Sequence, residues 1–162
     1  MNRLDRCLAA LRQRGRPGLV TYVTAGDPDF ATSVALLARL GASGADIIEL
    51  GMPFSDPVAD GPVIQQAHQR ALTNGQTMAK TLAMVAELRK YDAQTPVVLM
   101  GYLNPVMQYG VDLFMQEAAQ SGVDGLLLVD LPFEHAADYR RLAMAQGISL
   151  IPMTAPGSDE AR

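Results

Sequence analysis

The sequence predicts an α/β fold in which short parallel strands alternate with helices, as in a barrel built from βα units. Short apolar runs that begin after Gly or Pro are separated by longer stretches with helical spacing. The apolar runs are continuous, as in parallel strands that are covered on both faces. A dinucleotide-binding sheet would carry a GxGxxG turn after its first strand, and the sequence contains no such motif. We therefore expect the (β/α)8 type of barrel rather than an open sheet.

The strands and helices can be placed in chain order from these patterns. The predicted strands are 19–24, 46–50, 97–100, 126–129 and 148–153. The stripe of the first helix consists of Leu4, Cys7, Leu8 and Leu11. Pro62 suits the first position of a helix and Asn74-Gly75 suits a helix end, so one helix is expected from about Gly61 to Thr73. A second, from about Thr77 to Tyr91, leads to the third strand.

Composition and charge narrow the classes of function. A chain of 162 residues with 49% hydrophobic and 19% charged residues is typical of one soluble globular domain, spanning residues 1–162. Thirteen Lys and Arg against seventeen Asp and Glu give a net charge of −4, and without a long basic run no nucleic-acid partner is expected. The first sixteen residues lack the apolar core of a signal peptide, and no apolar run approaches the roughly 20 residues that span a bilayer. We therefore expect a cytoplasmic protein with no membrane role.

The candidate chemistry is concentrated in the segment ELGMPFSDPVADGP, which runs from Glu49 to Pro62 and contains three carboxylates, three prolines and two glycines. In a barrel the reactive groups lie at the carboxyl ends of the strands, where this segment begins. Glu49 lies inside an apolar strand, where partial loss of water would raise its pKa toward the range useful for proton transfer. The alternative is a structural carboxylate paired with an Arg or with backbone donors. Gly51, two residues further on the same face, favours the first interpretation because it would leave room for a ligand.

The other polar candidates have simpler explanations from spacing alone. Asp60 precedes a predicted helix, so capping of that helix is the favoured role. Asp56 precedes a proline and can organise a turn. His68 and His135 have no Cys or acidic residue at metal-ligand spacing, so both are expected at the surface and no metal site is predicted. Cys7 lies on the apolar face of the first helix and is interpreted as a core residue, unable to form an internal disulfide because it is the only cysteine.

The segment IIELGMPFSDPVADGPVIQ, with YVTAGDPD before it and VVLMGYLNPVMQYG and GLLLVDLPFEH after it, resembles the tryptophan synthase alpha subunit family. The motifs occur in the family's order and extend over nearly the whole chain. The ELGxPFSDPxADGP segment is highly specific, and Met52 is a mild departure where Ile or Val is more familiar. The resemblance implies a (β/α)8 barrel that cleaves indole-3-glycerol phosphate to indole and glyceraldehyde 3-phosphate by a retro-aldol reaction, with neither a metal nor an organic cofactor in this subunit.

The resemblance also implies residue roles. Glu49 would carry the protons that the reaction moves, and Asp60 would accept the indole N–H, which changes its expected role from cap to catalyst. The residues expected to line the indole site are Tyr22, Met100, Tyr102, Leu127, Val129 and Met153. The implied partner is the tryptophan synthase beta subunit, a pyridoxal phosphate enzyme, in an alpha2beta2 heterotetramer. The residues expected at or near that interface are Pro53, Asp56, Asn104 and Pro132.

The chain is shorter than a whole barrel of about 250 residues and stops after its fifth predicted strand. The family's lid loop and phosphate-binding turns would therefore lie outside it, and we expect the isolated span to be nearly inactive. Two alternative functions remain: a module that binds a beta subunit without catalysis, and a related phosphate-binding barrel enzyme. The second class typically uses a lysine at a strand end, and none of the predicted strands carries one.

Overall fold

The computed structural model describes residues 1–154, which form one five-stranded parallel sheet with helices packed against it. Each strand pairs with its neighbours in the sequence, so the order across the sheet is β1-β2-β3-β4-β5. The elements are α1 (Arg3–Arg14), β1 (Val20–Thr24), α2 (Phe30–Leu40), β2 (Ile47–Gly51), α3 (Pro62–Thr73), α4 (Met78–Arg89), β3 (Val97–Gly101), α5 (Leu103–Tyr109), α6 (Val111–Ser121), β4 (Gly125–Leu128), α7 (Phe133–Ala145) and β5 (Ser149–Leu150). The predicted five parallel strands with flanking helices are confirmed.

The first four strands agree with their predicted ranges to within one residue at each end, whereas the fifth is shorter than expected. It was predicted over 148–153 and is assigned only to Ser149–Leu150. Within the described residues β5 pairs only with β4, through two register positions, and Ile151 adds one more N–H donation, to the Leu126 carbonyl at 2.8 Å. Pro152 has no N–H to donate, so the ladder ends there.

The two faces of the sheet carry different cores. The register places Tyr22 opposite Glu49 and Glu49 opposite Val98, so these side chains share one face, here called the inner face. Near the amino ends of the strands this face is covered by Leu4 of α1, which packs with Ile47 and Val98. The larger core lies on the outer face, between the sheet and helices that include α2, α4, α5 and α6. Its largest fully buried side chains include Phe114, Leu37, Ile48, Leu50, Leu88 and Leu99.

The predicted helices are also found, with small changes at their ends. The helix expected from Gly61 begins at Pro62, with Gly61 as its N-cap residue. The helix expected over 77–91 covers Met78–Arg89, and the Thr77 side chain caps it by accepting the Lys80 N–H at 3.2 Å. Within residues 1–154, no helix is both long enough and apolar enough to cross a membrane.

The amino ends of the strands are held together by a buried carboxylate, Asp124, which is 1% exposed. One of its oxygens accepts from the backbone N–H and the guanidinium of Arg3, at 3.3 and 3.1 Å. The other accepts from Arg89 at 2.9 Å and from the backbone N–H of Val97 at 3.0 Å. Asp124 therefore joins α1, α4 and β3 just before β4 begins. We call Asp124, Arg3 and Arg89 the amino-end ionic cluster.

Candidate active site at the carboxyl ends of the strands

Glu49 occupies the middle of β2, the only half-buried position in a strand whose other residues are buried. Its carboxyl group points to the inner face, between Tyr22 on β1 and Val98 on β3. No Arg or Lys among residues 1–154 forms an ion pair with it, and loss of water on burial is what raises its pKa above the ordinary range for Glu. The predicted partial desolvation is confirmed, and the described residues do not provide the Arg of the structural alternative.

Asp60 does not cap the helix that follows it, so the capping prediction from spacing was wrong. The N-cap residue of α3 is Gly61, which makes no side-chain cap hydrogen bond. The Asp60 carboxylate instead accepts a hydrogen bond from the Tyr102 hydroxyl at 2.8 Å. The same hydroxyl accepts the Ala59 N–H at 2.9 Å. Tyr102 therefore fixes both the backbone and the side chain at the end of the loop between β2 and α3, residues 52–61, which we call the acidic loop.

Tyr102 is itself held rigidly, because it is only 2% exposed and its ring packs against Phe54 with 5.3 Å between the ring centroids. Burial, together with the hydrogen bond to Asp60, raises the pKa of Tyr102 to about 12. The hydroxyl thus keeps its proton at physiological pH and remains a donor to the carboxylate. Sequence spacing could not reveal this pair, because the two residues are 42 positions apart.

The space expected above Gly51 is already occupied by a side chain of the protein. A Cβ placed on Gly51 would overlap with the hydroxyl and ring of Tyr22, which leans along the inner face from β1. The expectation that Gly51 leaves room for a ligand was therefore wrong: glycine at this position makes room for the tyrosine. Burial raises the pKa of Tyr22, as do the nearby Asp60 and Glu49 charges, so the phenol stays protonated.

His68 was predicted at the surface and is instead buried, with 2% of its area exposed. Its Nδ1 accepts the Phe54 N–H at 3.3 Å, and its Nε2 lies 3.4 Å from the Tyr22 hydroxyl. Loss of water lowers the pKa of the imidazole, against smaller opposing effects of Asp60 and the Phe54 N–H. The glutamines around His68 made this segment polar overall and led to the prediction of an exposed residue. Ile64, His68 and Ala71 nevertheless form a stripe at helical spacing. That stripe was the signal for burial.

The remaining small candidates lie where expected. His135 is exposed on α7. Cys7 is half-buried, packs against the smaller core and donates from Sγ to the Asp46 carbonyl at 3.3 Å. Burial raises the pKa of this thiol, which makes it a poor nucleophile. Residues 1–154 contain no group of three or more His, Cys, Asp or Glu side chains that could hold a metal ion.

The structure brings together only some of the apolar residues that were predicted to line the indole site. Met100 and Leu127 are paired in register on the inner face, one level above Glu49 toward the carboxyl ends. Val129 follows β4 and donates its N–H to the Gly101 carbonyl at 3.0 Å. Met153 is 59% exposed and lines a small hollow with residues of α7, including Phe133. The ring-site roles of these residues stay predictions.

The interface candidates all lie in segments that follow strands at the carboxyl end of the sheet. Asp56, Asn104 and Pro132 are exposed, and Pro53 is half-buried. Asp56 accepts from the Ser55 hydroxyl at 2.5 Å, and its carbonyl accepts the Val58 N–H at 2.9 Å, as in the predicted turn.

Comparison with known proteins gives one consistent result. The family model for the tryptophan synthase alpha chain matches residues 8–162. A crystal structure of the tryptophan synthase alpha chain from Legionella pneumophila subsp. pneumophila is 46% identical, with a TM-score of 0.94 over 99% of this chain and 60% of that one. The subunit alpha structure from Legionella pneumophila str. Paris is 47% identical, with a TM-score of 0.96 over 99% of this chain and 62% of that one.

A structure of the tryptophan synthase a2b2 complex from Pyrococcus furiosus also matches, with 44% identity and a TM-score of 0.83 over 89% of this chain and 58% of that chain. The five parallel strands thus correspond to part of a TIM barrel. This chain spans about 60% of the length of the Legionella structures.

Proposed function

The chain belongs to the tryptophan synthase alpha chain family, and from that premise we propose that its protein cleaves indole-3-glycerol phosphate to indole and glyceraldehyde 3-phosphate in tryptophan biosynthesis. The observation that carries the proposal is a pair of carboxylates in unlike surroundings at one end of the sheet. Glu49 has no ion-pair partner among residues 1–154 and has a raised pKa, whereas Asp60 is fixed by the Tyr102 hydroxyl. One carboxyl group is thus suited to exchange protons and the other to stay in place as an acceptor.

The proposed reaction breaks the bond between indole C3 and the side-chain carbon that bears a hydroxyl group. Glu49 in its protonated form gives a proton to C3, which makes the ring an electron sink. The hydroxyl then loses its proton to the Glu49 carboxylate as the carbon–carbon bond breaks and its electron pair returns to the ring. Indole and an aldehyde result, and Glu49 ends in its starting protonation state. The raised pKa supports this role because burial makes the protonated form of Glu49 easier to reach than that of an exposed Glu.

Asp60 would support the same step at the indole nitrogen. Positive charge develops on the indole nitrogen once C3 is protonated, and a carboxylate that accepts the N–H stabilises that charge. The Tyr102 hydroxyl occupies one oxygen of Asp60, so the other oxygen is the acceptor we assign to the ring. Because Tyr102 is buried and itself hydrogen bonded, the carboxylate needs little reorganisation when the charge appears.

No metal or organic cofactor takes part in this proposal, and the partner we infer is the tryptophan synthase beta subunit, which would hold pyridoxal phosphate. The a2b2 complex described for the Pyrococcus furiosus protein supports this assignment. The exposed Asp56, Asn104 and Pro132 lie at the end of the sheet that carries the two carboxylates, so indole released there would leave near the inferred interface. Sedimentation of the two subunits as separate species at micromolar concentrations would exclude the partnership.

The test of the proposed reaction is Glu49→Gln in the full gene product, assayed for release of indole from indole-3-glycerol phosphate. We expect loss of activity by at least about a thousandfold, because an amide of the same shape cannot exchange the proton. Glu87→Gln is the matched control, since Glu87 is a partly exposed residue of α4 whose one ion pair within residues 1–154 is with Lys90. An active Glu49→Gln variant would remove Glu49 from the mechanism, and a wild-type protein that releases no indole would refute the proposed function.

A further inference from the structure

The chemistry proposed above gives no role to His68, although this titratable side chain is buried close to the two carboxylates. It lies on α3, 2% exposed, and bridges two segments that are separate in the sequence. One bridge is to Phe54, at the start of the acidic loop, and the other is to Tyr22 in β1. A buried imidazole costs free energy unless both ring nitrogens are satisfied. These two contacts, at 3.3 and 3.4 Å, are long hydrogen bonds that satisfy them.

The backbone contact fixes the tautomer of His68. A peptide N–H can only donate, so Nδ1, which faces the Phe54 N–H, carries no proton. A neutral imidazole then carries its proton on Nε2 and donates it to the Tyr22 oxygen. The phenol proton of Tyr22 must therefore point away from His68, and the Thr24 hydroxyl lies within hydrogen-bond distance of the phenol oxygen, at 3.3 Å. The hydrogen bonds therefore run from the Phe54 N–H to His68 and from His68 to the Tyr22 oxygen.

The two hydrogen-bond partners of His68 each lie close to the surroundings of one carboxylate. Tyr22 is paired in register with Glu49, and its hydroxyl lies over Gly51 at the next level of the inner face. Phe54 packs on the ring of Tyr102, whose hydroxyl donates to Asp60 at 2.8 Å. A shift of the His68 ring would therefore move Tyr22, which is the neighbour of Glu49. It would also move Phe54, whose ring packs on the donor to Asp60. No other described residue hydrogen-bonds through its side chain to both Tyr22 and the acidic loop.

We propose that His68 is a positioning residue, which uses Nδ1 to anchor the start of the acidic loop and Nε2–H to hold the Tyr22 hydroxyl beside Glu49. Its catalytic meaning rests on the proposed function, whereas the two hydrogen bonds do not. The ring touches neither reacting carboxylate through a hydrogen bond, so it acts through Tyr22 and Phe54. A merely structural role would require only that the side chain fill its space.

Substitutions can remove the two hydrogen bonds one at a time. In His68→Asn the amide oxygen can take the place of Nδ1 and accept from Phe54, while the donor to Tyr22 is lost. In His68→Gln the longer amide can donate to Tyr22, while the acceptor for Phe54 is lost. His68→Leu removes both and keeps an apolar volume. The matched control is His135→Asn, because His135 is an exposed histidine of α7.

We expect kcat for indole release to fall about tenfold in each single-bond variant and about a hundredfold in His68→Leu, since small displacements of reacting groups have effects of this size. The KM should change less than kcat, and His135→Asn should match the wild type. The decrease in His68→Asn should disappear in a Tyr22→Phe background, where no hydroxyl remains to be held. Full kcat in both amide variants, with only the urea midpoint lowered, would assign His68 a structural role and overturn the proposal.

Nitrogen-15 NMR of the imidazole tests the hydrogen bonds without any turnover. We expect the Nε2–H tautomer of a neutral ring at pH 7. A protonated Nδ1, in either the other tautomer or the imidazolium, would overturn the proposal even in an active enzyme. If the wild-type protein releases no indole, the proposed function fails, and the tautomer alone then decides the assignment of the two bonds.

Discussion

The two ends of the sheet place a carboxylate in opposite surroundings. At the amino end, Asp124 receives hydrogen bonds from two guanidinium groups and two backbone N–H groups. At the carboxyl end, Glu49 has no Arg or Lys partner among residues 1–154, and burial raises its pKa. A charge removed from water destabilises a fold unless partners compensate it. The amino end therefore stabilises the fold, whereas the carboxyl end keeps a reactive group at some cost in stability.

The difference follows from which elements meet at each end. The α1 and α4 helices bring Arg3 and Arg89 to Asp124, and burial lowers the pKa of Arg89 although Asp124 opposes that effect. At the other end, the residues near Glu49 are a phenol, a glycine and apolar side chains. Barrels in general separate stability and chemistry between their two ends in this manner.

The largest loss of stability is expected for Asp124→Asn, at the amino end of the sheet. The amide keeps the shape but removes the charge, so that the partly buried Arg89 loses its counter-ion. We expect a loss of about 3–5 kcal/mol in the free energy of unfolding, the usual result of removing one partner from a buried ion pair. Urea denaturation followed by circular dichroism measures it.

The control for this substitution is Asp138→Asn, since Asp138 is 85% exposed and lies 3.9 Å from Arg141. It should change the free energy of unfolding by less than about 0.5 kcal/mol. If Asp124→Asn changes the free energy of unfolding as little as this control does, the amino-end ionic cluster does not stabilise the sheet. The proposed contrast between the two ends would then be wrong.

A smaller effect is expected at the carboxyl end for Tyr102→Phe. The substitution removes the donor to Asp60 and leaves the Ala59 N–H without its acceptor. We expect a loss of about 1–2 kcal/mol in the free energy of unfolding and a lower kcat for indole release, because Asp60 becomes free to rotate. Tyr91→Phe is the control, since Tyr91 is 71% exposed. A normal kcat in Tyr102→Phe would show that Asp60 does not depend on this hydroxyl.

Local patterns were sufficient to predict the fold. The strands are continuous apolar runs, and a helix such as α3 is marked by Pro62 at its start, so their positions depend on the chain nearby. The fifth strand was predicted too long because pairing depends on the neighbouring strand as well as on apolar character. The family resemblance pointed to Glu49 and Asp60, and their roles remain predictions.

The contacts that build the site depend on residues distant in the chain, and those could not be predicted. Spacing assigned Asp60 to a helix cap, but the hydroxyl that binds it comes from Tyr102 at the end of β3. Spacing left Gly51 free for a ligand, but Tyr22 of β1 fills that space. For His68 a local signal did exist, because the residue continues an apolar helical stripe. The prediction of an exposed position followed instead from its glutamine neighbours.

The smallest effect on the free energy of unfolding is expected for Glu49→Gln. Its sign is opposite to that expected for Asp124→Asn and Tyr102→Phe. Because the folded pKa of Glu49 is raised, the folded protein holds that proton more tightly than the unfolded chain does. Its contribution to stability is full below the unfolded pKa and is lost as the pH rises through the folded value. Glu49→Gln should therefore be more stable than the wild type at pH 7, by less than about 1 kcal/mol because water screens a half-exposed carboxyl.

This advantage of the variant should shrink as the pH falls toward 4, because Glu49 then becomes increasingly protonated in the unfolded chain as well as in the folded protein. Urea midpoints of the two proteins from pH 4 to 8 measure the difference, in which the contributions of all other groups cancel. A variant less stable than the wild type at pH 7 would mean that the ionised Glu49 has a stabilising partner. The carboxyl end would then resemble the amino end, and the contrast on which the assignment of a reactive carboxyl rests would be lost.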